Sequence, residues 1–122
     1  MTNSIMDVLL GPLHTHFLCA RSAYAAYLNN GRQFLFAKSL RRMNQSARTL
    51  LLEKAHLLPP PLQEDAVHLI SHYDIWLELW AEHRRRTEPK LNDVFAFQNA
   101  FRYPCDAESR LEAFYEASRV SP

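Results

Sequence analysis

The chain has 122 residues, 48% hydrophobic and 22% charged, the composition of an ordinary folded domain rather than a disordered segment. Its 14 basic and 13 acidic residues leave a formal charge of +1, so net charge supplies no general attraction to nucleic acid or anionic lipid, and any electrostatic function must be local. A chain of this length can bury one continuous core without a metal or disulfide staple, and residues 1–122 read as a single domain.

Only two glycines occur, and alternation at period two is nearly absent, so the expected fold is all-α with few tight turns. The start, residues 1–7, lacks a basic run, and the apolar stretch 8–10 stops at Gly11-Pro12. Neither a signal segment nor a spanning helix is therefore expected. Cys19 and Cys105 form no close-spaced motif, which suits a reducing compartment, and the expected location is cytoplasmic without membrane contact.

Gly11-Pro12 reads as a break, after which a first helix is expected at about residues 12–28, with Leu10, Leu13, Phe17, Ala20, Tyr24 and Tyr27 on one stripe. Asn29-Asn30-Gly31 is a turn signal. A second helix follows at about 32–57, carrying Phe36, Leu40, Met43, Ala47, Leu50 and Leu51. The prolines at 59–61 stop it, and a third helix is expected at about 62–86 with Leu62, Ala66, Leu69, Tyr73, Trp76 and Trp80 inward. Because Ile75 and Leu79 lie off that stripe, this helix is apolar over more than half its circumference and needs cover on two sides. The cover is expected from the irregular aromatic segment 91–103 and from a short last helix at about 106–119, with Asp106 as its cap and Leu111, Phe114 and Tyr115 facing in. Short turns make successive helices antiparallel neighbours. The fold class expected is an antiparallel bundle of three long helices plus a short C-terminal helix.

No nucleophile elbow, phosphate-cradling glycine loop or HExxH pattern occurs, so the chain reads as a non-enzymatic protein-interaction or regulatory accessory module, with no cofactor implied. The partner-binding candidates are Lys38, Arg41, Arg42 and Arg48, a basic row read as lying opposite the Phe36–Leu51 stripe and without acidic partners four residues on. Asp74, Glu78 and Glu82 of the third helix are the candidates for neutralising part of it from within. Otherwise the row meets an acidic protein surface or, as an alternative, the phosphates of a nucleic acid. The run His83-Arg84-Arg85-Arg86 suits the negative end of the helix dipole and is able to extend that positive surface.

A second alternative is a metal-binding bundle. Glu64, His68 and His72 fall on one row of the third helix, and an i, i+4 histidine pair lies only about 40° apart around the helix axis. No further ligand pattern completes a four-ligand set. His14 and His16, two residues apart on a helix, point roughly 160° apart and do not converge. The aromatics Tyr73, Trp76, Trp80, Phe95, Phe97, Phe101, Tyr103, Phe114 and Tyr115 crowd the C-terminal half. They form core or interface, and because the third helix exposes Ile75 and Leu79 unless the aromatic segment or a second subunit covers them, a homodimer through that helix is expected.

Overall fold

The structure, a computed structural model, describes residues 4–120. The part of the leader reading that concerns Met1, Thr2 and Asn3 lies outside the described residues. The fold is all-α: four helices, α1 (Gly11–Asn29), α2 (Phe34–Lys54), α3 (Pro60–Thr87) and α4 (Cys105–Val120), form a bundle in which each packs on its chain neighbour and α4 returns to α1. No helix among the described residues is long and apolar enough to cross a membrane.

Gly11-Pro12 is not a break. A π-helical turn, Met6–Leu10, runs directly into α1, and the Gly11 N–H donates to Met6 O, five residues back. The wider turn fits Pro12, which has no N–H for an ordinary helical bond. Glycine is suited to position 11, because a Cβ there would lie 3.0 Å from the Met6 carbonyl oxygen. Ser4 caps the turn, its Oγ accepting from the Asp7 N–H at 3.2 Å. Leu9 and Leu10 are consequently fully buried, closing one end of the bundle against α2 and α4.

The proline run also acts differently from its expected role as a stop. Pro60 and Pro61 form the first turn of α3, where missing N–H groups cost nothing, so the helix begins two residues early. Before it, the helix of α2 tightens into a single 3-10 turn, Ala55–Leu57.

The core has two parts. Leu9, Leu10, Leu13, Phe17, Ala47, Leu51, Leu58, Ala66, Leu69, Tyr73, Ala107 and Leu111 fill the four-helix half. In the other half Tyr27, Phe34, Ala37, Trp80 and Phe95 pack together. The reason is length: α3 has 28 residues and α4 only 16, so α4 covers the first half of α3 and segment 88–104 takes its place over the second.

That segment is irregular yet firmly bonded. α2 has no side-chain cap, and its first N–H groups, Phe34 and Leu35, donate instead to Asp93 O and Leu91 O at 2.8 and 2.9 Å. The Phe95 N–H donates to Arg32 O at 2.8 Å, and the Tyr27 hydroxyl donates to Phe95 O at 2.5 Å. The Phe95 ring lies 5.0 Å from both Phe34 and Trp80, and the Trp80 indole N–H donates to Ala37 O at 3.2 Å. Replacing Phe95 with alanine is expected to cost about 3–5 kcal/mol in a urea denaturation series, the range for emptying a buried aromatic position.

α4 is held to α3 by an asymmetric ion pair. Arg110 donates to both carboxylate oxygens of Asp65, Nε at 2.9 Å and Nη2 at 2.8 Å. The Asp65 side chain is only 5% exposed and that of Arg110 58%. Loss of the arginine strands a buried charge, whereas loss of the carboxylate returns an exposed cation to water. Arg110→Ala is therefore expected to lower the thermal midpoint more than Asp65→Asn, and the double variant less than Arg110→Ala alone.

Candidate interaction surface

The basic row divides into three environments. Arg48 forms an ion pair with Asp74 of α3, the internal neutralisation anticipated for part of the row. Lys38 and Arg41 are half-buried at the α2–α3 seam rather than opposite the apolar stripe. Lys38 Nζ lies 5.9 Å from the Phe34 ring centre, and Arg41 Cζ lies 5.2 Å from that of Trp80. Their stems run along apolar surface while their charges stay at the rim. Arg42 turns a step further around the helix, where it is exposed and donates to Ser39 Oγ at 3.2 Å. It shares a shallow cleft with Gln45, Thr49 and Glu53.

The antiparallel packing of α2 on α3 adds a residue from the arginine run. Arg84 Cζ sits 5.7 Å from the Phe34 ring and 5.9 Å from the Trp80 ring, so Lys38, Arg41 and Arg84 share two aromatic supports. None of the three has an ion-pair partner among the described residues. Of the other acidic candidates, Glu82 reaches only Arg86 of its own helix, at 3.9 Å, and Glu78 faces solvent. Beside Lys38, Leu35 and Leu91 are joined by their backbone bond and are 47% and 51% exposed, giving the cations an apolar margin. Sequence periodicity identified the row and the run separately. Their convergence on Phe34 and Trp80 depends on the crossing of two helices.

The metal-ligand row does not converge. Glu64 and His68 are exposed, while His72 is buried, 7% exposed, with Tyr73 of its own helix and Tyr103 of the segment before α4 edge-on at 5.9 and 5.1 Å. Among the described residues no three His, Cys, Asp or Glu side chains are grouped so as to hold a metal ion. His14 is likewise engaged elsewhere, bonded to Glu112 at 2.8 Å and stacked on Tyr115 at 4.3 Å. Ile75 and Leu79 are half-buried, and Leu79 shares a cleft with Ala96 and Phe97 of the aromatic segment.

A polar chain links α1, α3 and α4. Tyr73 and Tyr103 hydroxyls are 3.5 Å apart, Tyr103 donates to Glu108 at 2.5 Å, and Glu108 accepts from Arg21 at 2.7 Å. Burial pushes the Tyr73 phenol up to about 12 and raises that of Tyr103 further, so both remain protonated donors. The hydrogen bond to Glu108 raises the Arg21 pKa, opposed by its partial burial. This chain clamps α4 in place.

No family model, curated protein or solved structure matches the chain. The class established by the structure is an all-α helical bundle.

His72 generates a pH dependence. Its Nδ1 is buried without a hydrogen-bond partner among the described residues, and burial lowers its pKa below the ordinary value of about 6.5. Between those two values the unfolded chain binds a proton that the native protein does not, so stability contributed by neutral His72 is complete above about pH 6.5 and falls as acid is added. Chemical denaturation from pH 7.5 to 5.5 is expected to show His72→Phe gaining on wild type as the pH drops.

Proposed function

We propose that the protein is a non-enzymatic interaction module that docks an acidic protein surface on Lys38, Arg41 and Arg84. The observation that carries this reading is the meeting of three cations from two helices over Phe34 and Trp80, without ion-pair partners among the described residues and next to exposed Leu35 and Leu91. Arginine supported by aromatic rings beside exposed leucines has the chemistry of a protein interface: it holds a fixed orientation before the partner arrives, so less side-chain entropy is lost on docking.

A protein partner suits this surface better than a nucleic acid. Single-stranded binding uses aromatic faces open to the bases, whereas Phe34 and Trp80 are buried beneath the cations. Arg42, on a different side of α2, lies outside the proposed contact.

The test is capture of partners from the native host with wild type, the triple variant Lys38→Gln/Arg41→Gln/Arg84→Gln and Arg42→Gln, each first checked for an unchanged thermal midpoint. The expected outcome is an acidic partner retained by wild type and Arg42→Gln, weakened at least about tenfold by the triple variant, and released by salt. Equal loss with Arg42→Gln, or retention by the folded triple variant, overturns the reading. Binding to duplex or single-stranded nucleic acid in place of protein transfers the surface to the phosphate reading.

A further inference from the structure

Where the end of α1, the first half of α2, α3 and segment 88–104 meet, they leave a cavity of about 320 Å³. Trp80 and Phe95, both buried, lie at its base; Trp76 and Phe97 are half-buried with rings 5.7 Å apart; and Tyr24, exposed, stands at its edge. None of Lys38, Arg41 and Arg84 lines it, so the cavity is separate from the proposed protein contact.

Its polar lining has one sign. Among the described residues no aspartate or glutamate contributes, and the only charge is Arg32. Arg32 is held at the end of the α1–α2 turn by both backbone groups: its N–H donates to Tyr27 O at 2.9 Å and its carbonyl accepts from the Phe95 N–H at 2.8 Å. It does so at φ 54°, a conformation that costs a non-glycine residue roughly 1 kcal/mol or more. Its guanidinium has no ion-pair partner among the described residues. Asn99 also lines the cavity, and its Oδ1 accepts from the Phe101 N–H at 2.9 Å, which leaves the amide NH₂ to donate. The Tyr27 hydroxyl is already committed to Phe95 O. The cavity thus combines aromatic walls, one unpaired cation and one neutral donor.

We infer that this cavity binds a small planar aromatic carboxylate, its ring against Trp76, Phe97 and Tyr24 and its carboxylate on Arg32 and Asn99. The volume lies at the lower end of small-molecule sites, which restricts the ligand to one or two rings. Offset or edge contacts with aromatic walls favour a π-system over an aliphatic chain of the same size. A single cation balances a monoanion, whereas a dianionic phosphate ester would bring a second charge that no lining side chain neutralises.

The full chain is titrated calorimetrically, with tryptophan fluorescence as a second readout, against benzoate and indole-3-acetate and against their neutral amides, benzamide and indole-3-acetamide. Saturable binding of at least one acid, with its amide at least about tenfold weaker, is expected. Arg32→Gly removes the guanidinium while relieving the backbone at φ 54°, so it should fold at least as well as wild type and bind the acid at least about tenfold more weakly. Absence of saturable binding by either acid at millimolar concentration overturns the inference. Equal affinity for acid and amide, or undiminished affinity in folded Arg32→Gly, does the same.

Discussion

Phe95 occupies the point where α1, α2 and α3 would otherwise have no fourth element to close on. Its amide donates to the carbonyl of Arg32, its carbonyl accepts from Tyr27, and its ring fills the space beside Phe34 and Trp80. A chain segment without regular structure normally carries unsatisfied backbone groups that forbid burial. Here the exposed end of α2 supplies partners: the helix needs acceptors for its first N–H groups, and the carbonyls of Leu91 and Asp93 provide them. The segment and the helix terminus each supply what the other lacks, so a non-helical stretch takes the role of half a helix.

The basic surface and the aromatic cavity both follow from this closure. With Phe95 beneath them, Phe34 and Trp80 form a rigid base, and Arg41 and Arg84 lie over their outer side. The inner side of the same aromatic group, together with Trp76 and Phe97, borders the cavity. One cluster of rings thus supports cations on one flank and leaves an aromatic pocket on another, while the four-helix half carries the closed aliphatic core and the α3–α4 clamp. Structural polar chemistry, from Asp65–Arg110 to Tyr73–Tyr103–Glu108–Arg21, concentrates in that second half. Lys38, Arg41 and Arg84, without ion-pair partners among the described residues, lie at the other end.

Buried polar groups divide in the same way. Asp65 is matched by two donors from Arg110, and Tyr103 by Glu108, so their burial is compensated. His72, which shares a helical row with exposed His68 and Glu64, lies edge-on to Tyr73 and Tyr103, and its Nδ1 has no hydrogen-bond partner among the described residues. The members of that ligand-like row part company, His72 buried beside Tyr103 and Glu64 and His68 left in water.

The amino-acid pattern by itself determined the helical class, the order and approximate bounds of four helices, the excess apolar circumference of α3 and the need for an aromatic cover, because periodicity and turn residues are local properties. It misplaced the local effect of proline at two points, since whether Pro12 or Pro60 breaks a helix depends on which backbone donors are already spare. Only the tertiary structure decided that Lys38 and Arg41 join Arg84 while Arg42 and Arg48 part from them, that Asp65 rather than Glu64 is the buried acid, and that Arg32 and Asn99 face one aromatic cavity. Each of these depends on side chains remote in the chain approaching within a few ångströms. The position of a residue around its own helix states which way it points, and the crossing of two helices states what it meets.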